Sequence, residues 1–271
     1  MLSPWAFLAI LAAGRMSTAT AACNRNELLL TVDQFLLGLT MGQAGPLENI
    51  ADDFEYIENN KPTVIVSGIF NNMLKIDFNR TIIDMTTCST FTEPFVLGAQ
   101  IHHYPTDNSV YKIDTITTGS WFFNASRTLQ YARQENWPVI PPAQRDMRQT
   151  LQAAADAYLD MWSNKSAIDA VPWGTPCARL EGSVYTGKGA PDDSCKVGIP
   201  SNNTQPPNSD RRYVIDESMG TVSVLCKFEH LGNAPDSHLF RLEGGKLRYT
   251  HSITVTDSSA WERRIGEAFE A

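Results

Sequence analysis

Two stretches of the chain repeat apolar residues at helical spacing, and each is followed by short runs rich in β-branched and aromatic residues. In Asn24–Leu39 (NRNELLLTVDQFLLGL), Leu28, Leu29, Val32, Phe35, Leu36 and Leu39 fall on one helical face. Asn24 is placed to cap this helix, with Glu27 completing a capping box, and Gly45-Pro46 closes the element because proline cannot continue it. The run Gln144–Trp162 carries Met147, Leu151, Ala154, Tyr158 and Trp162 at steps of three and four, the strongest amphipathic pattern in the chain. Strands are predicted over Thr63–Ile69, Ile76–Ile83, Glu93–Ile101 and Tyr111–Phe123 after the first helix. After the second they are predicted over Arg179–Thr186, Arg212–Asp216, Thr221–Glu229, His238–Glu243 and Leu247–Val255. The turns at Glu217–Gly220 and Gly244-Gly245 read as hairpin connections.

The order is therefore helix-then-strands, twice. Phe54–Asn59 resembles Cys177–Gly182, Ile82–Asp84 resembles Val214–Asp216, and Tyr111–Asp114 resembles Phe240–Glu243, at offsets drifting between about 123 and 132 residues as in a duplication with loop insertions. The expectation is an α+β fold of two tandem units, residues 23–135 and 136–256, each a helix packed in a curved antiparallel sheet, with a tail over 257–271. Each unit alone has a thin core, so the two should pack together.

Residues 1–22 read as an address. Trp5–Gly14 is an unbroken apolar and small run, too short to span a bilayer, and Ala19-Thr20-Ala21 offers a signal-peptidase site just before Ala22 or Cys23. No Lys or Arg precedes the apolar run, a departure from the usual signal peptide. The expected location is outside the cell or in the secretory lumen, without stable membrane insertion. N-x-S/T sequons at Asn79, Asn124, Asn164 and Asn202 agree with that compartment. So do the cysteines: Cys177 and Cys195 flank a Gly/Pro/Asp-rich loop and are expected to pair, a closure worth about 3 kcal/mol. Cys88 has two candidate partners, Cys23 and Cys226; in the first case Cys226 is a buried free thiol.

The chain of 271 residues, 42% hydrophobic and 10% aromatic, is too apolar for a disordered protein, and a net charge of -8 argues against a nucleic-acid partner. No G-x-S-x-G, H-E-x-x-H, P-loop or G-x-G-x-x-G is present. None of the five histidines stands at zinc-ligand spacing with a cysteine or carboxylate, and His102-His103 point to opposite strand faces, so neither metal nor cofactor is expected.

What remains is polar residues set into apolar strands. Alternation over Leu247–Val255 puts Leu247, Tyr249, His251 and Ile253 on one face; if the helix closes over that face, Tyr249 and His251 line a cavity mouth. His238 and Arg241 share the preceding hairpin. These residues and Tyr185 suit proton transfer or the orientation of an oxygenated, otherwise apolar substrate. Glu181, His102, Trp137 and Trp173 are candidate binding residues. Competing readings stay open: Arg179, Glu181, Arg241 and Glu243 as cross-strand ion pairs, His251 as a hydrogen-bonded structural residue, His102 as a surface strand end, and Trp137 and Trp173 as covers for the sheet rims.

The most distinctive stretches are Pro172–Gly182 (PWGTPCARLEG), Ser194–Pro200 (SCKVGIP), Arg212–Glu217 (RYVIDE) and His238–His251 (HLFRLEGGKLRYTH). In that order they resemble a family of secreted fungal proteins of unknown function with a SnoaL-like, cystatin-like cone fold, and within it the intermolecular hetero-Diels–Alderases of tropolone–sesquiterpenoid biosynthesis. The resemblance implies a cofactor-independent pericyclase that helps a hydroxymethyl tropolone lose water and holds the ortho-quinone methide against a humulene-type alkene. The residue inventory is compatible with that chemistry: His238, His251 and Tyr185 are candidate acids and Arg241 is a candidate to bind the tropolone oxygens. A homodimer is a candidate assembly. The alternatives are an isomerase or dehydratase, and a non-catalytic carrier of an apolar ligand.

Overall fold

The computed structural model describes residues 23–94, 96–119, 123–199 and 205–256. The signal segment, the tail over 257–271, Trp121 and the sequon at Asn202 lie outside them. The first unit runs α1 (Arg25–Met41), β1 (Ile50–Glu58), β2 (Lys61–Pro62), β3 (Arg80–Asp84), β4 (Ser89–Glu93), β5 (Leu97–His103) and β6 (Val110–Thr117). A connecting helix, α2 (Ala125–Ala132), leads to the second: α3 (Arg148–Asp160), β7 (Trp173–Glu181), β8 (Val184–Tyr185), β9 (Ser209–Asp216), β10 (Thr221–Phe228), β11 (Ala234–Glu243) and β12 (Lys246–Thr254). The two six-stranded sheets have the same order, β2-β1-β6-β5-β4-β3 and β8-β7-β12-β11-β10-β9, so the fold is α+β and built twice.

Two details differ from expectation. The sheets are mixed, because β1 pairs parallel with β6 and β7 with β12, the chain entering each sheet beside its own last strand. And Tyr111–Asp114 lies on β6, whose counterpart is β12, whereas Phe240–Glu243 lies on β11; the other two sequence matches join true counterparts, β1 with β7 and β3 with β9.

Local chemistry explains most element boundaries. Asn24 Oδ1 accepts from the N–H groups of Asn26 and Glu27, and α1 ends at Gly42 in the left-handed region (φ 66°). The Asn24 N–H donates to Asn108 Oδ1, taking the place foreseen for Glu27 in a capping box. α3 begins at Arg148 rather than Gln144. Met147 supplies no side-chain cap there; the Arg148 N–H donates instead to Glu217 Oε1, a cap borrowed from the turn after β9. Thr63–Ile69 is not a strand but leads into two 3-10 turns, Ile65–Ser67 and Ile69–Asn71, which drive Phe70 under α1. Glu93–Ile101 is broken after Glu93, where Pro94 has no N–H to give a ladder.

The layers stack helix, sheet, sheet, helix. α1 covers one face of the first sheet with Val32, Phe35 and Leu39, and α3 covers the second with Leu151, Ala155 and Tyr158. The uncovered faces meet each other through Ile82, Phe91, Ile116, Val214, Leu225, Leu239 and Ile253. Middle strands are thus buried on both faces: β4 is buried throughout and β10 at all but one position, polar residues included. The contact is reciprocal, like that of a two-fold dimer: Ile215 N–H donates to Asp84 Oδ2 at 3.0 Å, and Ile83 N–H donates to Asp216 Oδ2 at 2.9 Å. Cys23 pairs with Cys88 and Cys177 with Cys195, leaving Cys226 a buried free thiol. Among the described residues no helix is long and apolar enough to cross a membrane.

Candidate functional site in the second cone

The reciprocal aspartates fix which residues of the two units correspond. Following the strand pairings outward from Asp84 and Asp216 matches Leu97 with Asp236, Ala99 with His238, Ile113 with Thr250 and Glu58 with Glu181. The helices match Phe35 with Tyr158. At four positions between helix and sheet an apolar residue of the first unit is thus replaced by a polar one in the second, while Glu58 and Glu181 agree.

In the first cone Phe70 fills the space under α1, edge-on to Phe35 at 5.3 Å and to Tyr56 at 6.2 Å. Its main polar group, the Tyr56 hydroxyl, is satisfied by Glu58 at 2.5 Å and Thr115 at 3.2 Å. The second cone holds an acid, a base and a phenol. His238 Nδ1 lies 2.9 Å from Asp236 Oδ2, and both are buried. That approach is off the line a hydrogen bond requires, so it is a close contact only and Nδ1 has no hydrogen-bond partner among the described residues. Asp236 Oδ1 accepts from Thr254 Oγ1 at 2.8 Å, which anchors the carboxylate. The His238 ring packs among Tyr158, Phe228 and Phe240 at 5.5–5.9 Å. Trp162 Nε1, Thr250 Oγ1 and Ser252 Oγ, buried beside this pole, also lack partners among the described residues. Unsatisfied buried polar atoms are costly, so these four are candidate partners for polar atoms from outside the chain, although others lie elsewhere, such as Thr90 Oγ1 and His103 Nε2 in the first unit.

Arg179 closes one side of the pole. Its guanidinium pairs with Glu181 (Nε to Oε2, 3.0 Å) and donates to the carbonyls of Cys195 (3.1 Å) and Val197 (2.8 Å), tying the Cys177–Cys195 loop to the cone. Burial works against its charge, but Glu181 holds its pKa above the ordinary value. Burial pushes the Tyr158 phenol well up, with the Arg179 cation working the other way. Trp173 stands half-buried 6.0 Å from Tyr158, its indole N–H donating to Ile168 O. His238, Glu181 and Trp173 are thus brought together here, with Tyr158, Asp236 and Arg179 beside them. Tyr158 reads in sequence as one more core position of an amphipathic helix. Asp236 is legible only as a partner in phase with His238 on one strand face.

The other candidates lie elsewhere. The β11–β12 register shifts between Arg241 and Leu242, so Arg241 faces Tyr249 while Leu242 faces Leu247. That bulge sends Leu247 to the α3 face and turns Tyr249, His251 and Ile253 to the other sheet, contrary to strict alternation. His251 is clamped between Glu93 (Nδ1 to Oε1, 2.6 Å) and Glu135 (Nε2 to Oε2, 2.8 Å). Burial lowers its pKa, but the two carboxylates prevail and raise it to about 9. Trp137 N–H and Arg80 reach the same Glu135 oxygen, Trp137 stacks on Tyr249, and Arg80 lies 4.0 Å from the Trp137 ring. Tyr185 stacks on Tyr131 at 5.0 Å at the edge of this cluster. With both nitrogens of His251 engaged, this is an ionic clamp between the units rather than an acid. Arg241, one residue face away from His238, donates to Met219 O (2.7 Å) and pairs with Glu243 (3.0 Å). The Arg179–Glu181 and Arg241–Glu243 pairs run along one strand, not across two. His102, beside Tyr111 on the first sheet, is pushed down to about 4 by burial and by Lys112, and belongs to neither group.

Cys226 on β10 stands directly opposite Asp236 on β11 and, with His238, forms a set of buried donor atoms within 4.8 Å of one another that could hold a metal ion. Sequence spacing conceals it because the ligands come from neighbouring strands. A separate cleft of about 430 Å³ opens at the rim between the units, lined by Arg25, Arg145, Met85 and Val139 among others.

Residues 144–254, essentially the second unit, match a family described as "Domain of unknown function (DUF8021)". No curated protein matches the chain. Among solved structures, an NTF2-like protein from Burkholderia thailandensis shares 16% identity over 44% of this chain and 98% of its own, with a TM-score of 0.22. An NTF2-like protein from Bacteroides fragilis shares 8% identity over 84% of this chain and 98% of its own, with a TM-score of 0.21. Scores this low carry no weight for function, and the fold described above stands on strand order and pairing.

Proposed function

We propose that the second cone is an acid–base site acting on a small, oxygenated, otherwise apolar molecule in the secretory lumen or outside the cell. The observation that carries this reading is the replacement of Leu97, Ala99, Ile113 and Phe35 by Asp236, His238, Thr250 and Tyr158 on one scaffold, with polar atoms there left unpaired. Asp236 holds the imidazole of His238, which passes a proton to a leaving hydroxyl and takes one back from the substrate's ring hydroxyl. Tyr158 and Arg179 polarise a substrate oxygen, and Phe228, Phe240, Trp162 and Trp173 meet its apolar part.

The specific reaction proposed is the intermolecular hetero-Diels–Alder step. A hydroxymethyl tropolone loses water to an ortho-quinone methide, which adds across one alkene of a humulene-type sesquiterpene. Such a step needs no nucleophile, and holding the partners in a reactive pose supplies on the order of 7–11 kcal/mol in favourable cases. The test is to incubate the secreted full-length protein with both partners and follow adduct formation by chiral chromatography. The expected result is a faster reaction giving one stereoisomer, lost in His238→Ala. Equal rate and stereochemistry without protein overturns the pericyclase. The His238–Asp236 contact favours a second reading, a dehydratase or isomerase, which predicts conversion of the hydroxylated partner alone. Binding without conversion of either partner makes the protein a carrier.

A further inference from the structure

We propose that Cys226, Asp236 and His238 form a three-ligand site for a soft divalent cation, zinc being the metal their donor set suits, and that its occupancy silences the second cone. The silencing rests on the acid–base reading above; the metal site does not.

Cys226 and Asp236 are cross-strand partners, and His238 follows Asp236 by two residues on the same face. Sγ stands 3.9 Å and Nδ1 2.9 Å from Asp236 Oδ2. Zinc at about 2.3 Å from sulfur and 2.0–2.2 Å from nitrogen and oxygen sets such donors roughly 3.3–3.7 Å apart, so a tetrahedral ion is reached by small side-chain rotations. Thiolate, imidazole and carboxylate together select zinc over magnesium or calcium, which prefer all-oxygen ligands. Two observations beyond proximity point to a ligand. His238 Nδ1, on a side chain 3% exposed, has no hydrogen-bond partner among the described residues although it lies 2.9 Å from Asp236 Oδ2. And the second oxygen of Asp236 is already oriented by Thr254, the outer-shell support a ligating carboxylate needs.

The charges also balance. Burial keeps the Cys226 thiol protonated when alone. On binding, the S–H bond breaks, a zinc–sulfur bond forms and the proton leaves to solvent. Thiolate and carboxylate then neutralise the dication in a buried place, and a fourth position is left for water or a substrate oxygen. The metal occupies His238 and Asp236, the groups assigned to proton transfer.

The experiment titrates cobalt(II) into full-length protein stripped with a chelator. The expected result is one equivalent bound with a thiolate-to-cobalt charge-transfer band in the near ultraviolet, displaced by zinc. Cys226→Ser and the volume-preserving Cys226→Val should lose the band and bind at least tenfold more weakly, with unchanged circular dichroism. Failure to bind cobalt, or a band that survives both substitutions, overturns the site. In the activity arm, zinc should lower turnover at least tenfold, a chelator should restore it, and Cys226→Val should lose this zinc sensitivity. Full turnover with zinc bound overturns the silencing, whereas a wild-type protein that binds cobalt but converts nothing overturns the acid–base reading and leaves the metal site standing.

Discussion

The two cones share a strand order, a helix position and a reciprocal contact, yet they differ in what lies beneath the helix: Phe70 and other apolar side chains in the first, and Asp236, His238 and Tyr158 among aromatic rings in the second. In the first, Phe70 from the 3-10 turns fills the space beneath α1, and Tyr56, Glu58 and Thr115 satisfy one another. In the second, Tyr158 replaces Phe35, His238 replaces Ala99, and four neighbouring polar atoms find no partner among the described residues. The first unit can thus serve as packing support, relieving the second of some of the burden of stability. Unsatisfied polar groups of the kind seen in the second cone cost about 1–3 kcal/mol each, an amount a lone unit of this size could scarcely carry.

The largest effect separating the cones should be catalytic. His238→Ala and Asp236→Asn should each lower turnover by roughly 10²–10⁴-fold. Truncating the counterpart in the first cone, Leu97→Ala, should instead cost stability and leave turnover per folded molecule unchanged. Turnover assays paired with urea unfolding check this, and an equal loss of turnover in Leu97→Ala would erase the distinction.

Next in size is the clamp between the units. Removing His251 leaves Glu93 and Glu135 facing each other without their shared cation, so His251→Ala should cost about 3–5 kcal/mol in denaturant unfolding. The sign with pH follows from its pKa, raised from 6.5 to about 9 in the folded chain. The stabilisation from His251 should be complete below about pH 6.5 and decline as pH rises through 9. Unfolding midpoints measured across that window should fall in wild type and stay flatter in His251→Ala.

A smaller effect comes from exchanging the matched helix residues. Phe35→Tyr places a hydroxyl in the apolar cone and should destabilise by about 1–3 kcal/mol. Tyr158→Phe should be nearly neutral for stability while reducing turnover, because its hydroxyl lies beside Arg179, where it is proposed to polarise a substrate oxygen. The smallest expected difference lies within the reciprocal pair. Asp84→Asn should cost about 1 kcal/mol more than Asp216→Asn, since Asp84 alone also holds Arg148 in a two-pronged ion pair (2.8 and 2.6 Å). Arg148 and backbone donors outweigh burial and keep the Asp84 carboxyl below its ordinary pKa, so its share of stability is present at neutral pH and lost on acidification.

Several of these features were legible beforehand. Helical periodicity marked α1 and α3, and the matches of Ile82–Asp84 with Val214–Asp216 located the reciprocal aspartates without revealing what they do. β1 and α2 are not legible: Ile50–Glu58 mixes five apolar with four acidic residues on a strand near the sheet edge that is mostly exposed or half-buried, and Ala125–Ala132 is only eight residues long and buries just Thr128 and Ala132. His238, Glu181 and Trp173 were singled out and do gather in one cone. The sequence puts His251, Tyr249, Arg241 and Tyr185 at the same cavity, but a bulge at Arg248 turns Tyr249 and His251 to the other sheet, Arg241 is three residues from His238 and so on the opposite face of β11, and Tyr185 lies on the edge strand β8.

By itself the sequence determined the duplication, the α+β order, the Cys177–Cys195 pairing and the scarcity of nucleophile or phosphate-binding motifs, because these are written in local spacing and residue type. Only the tertiary structure decided which face of each strand meets a helix and which meets the other sheet. In a layer buried on both sides the two faces carry similar residues, and one inserted residue exchanges them. Cross-strand register is likewise a long-range property: it set Cys226 opposite Asp236 and His251 between two glutamates, one of them from β4 and the other from the loop after α2.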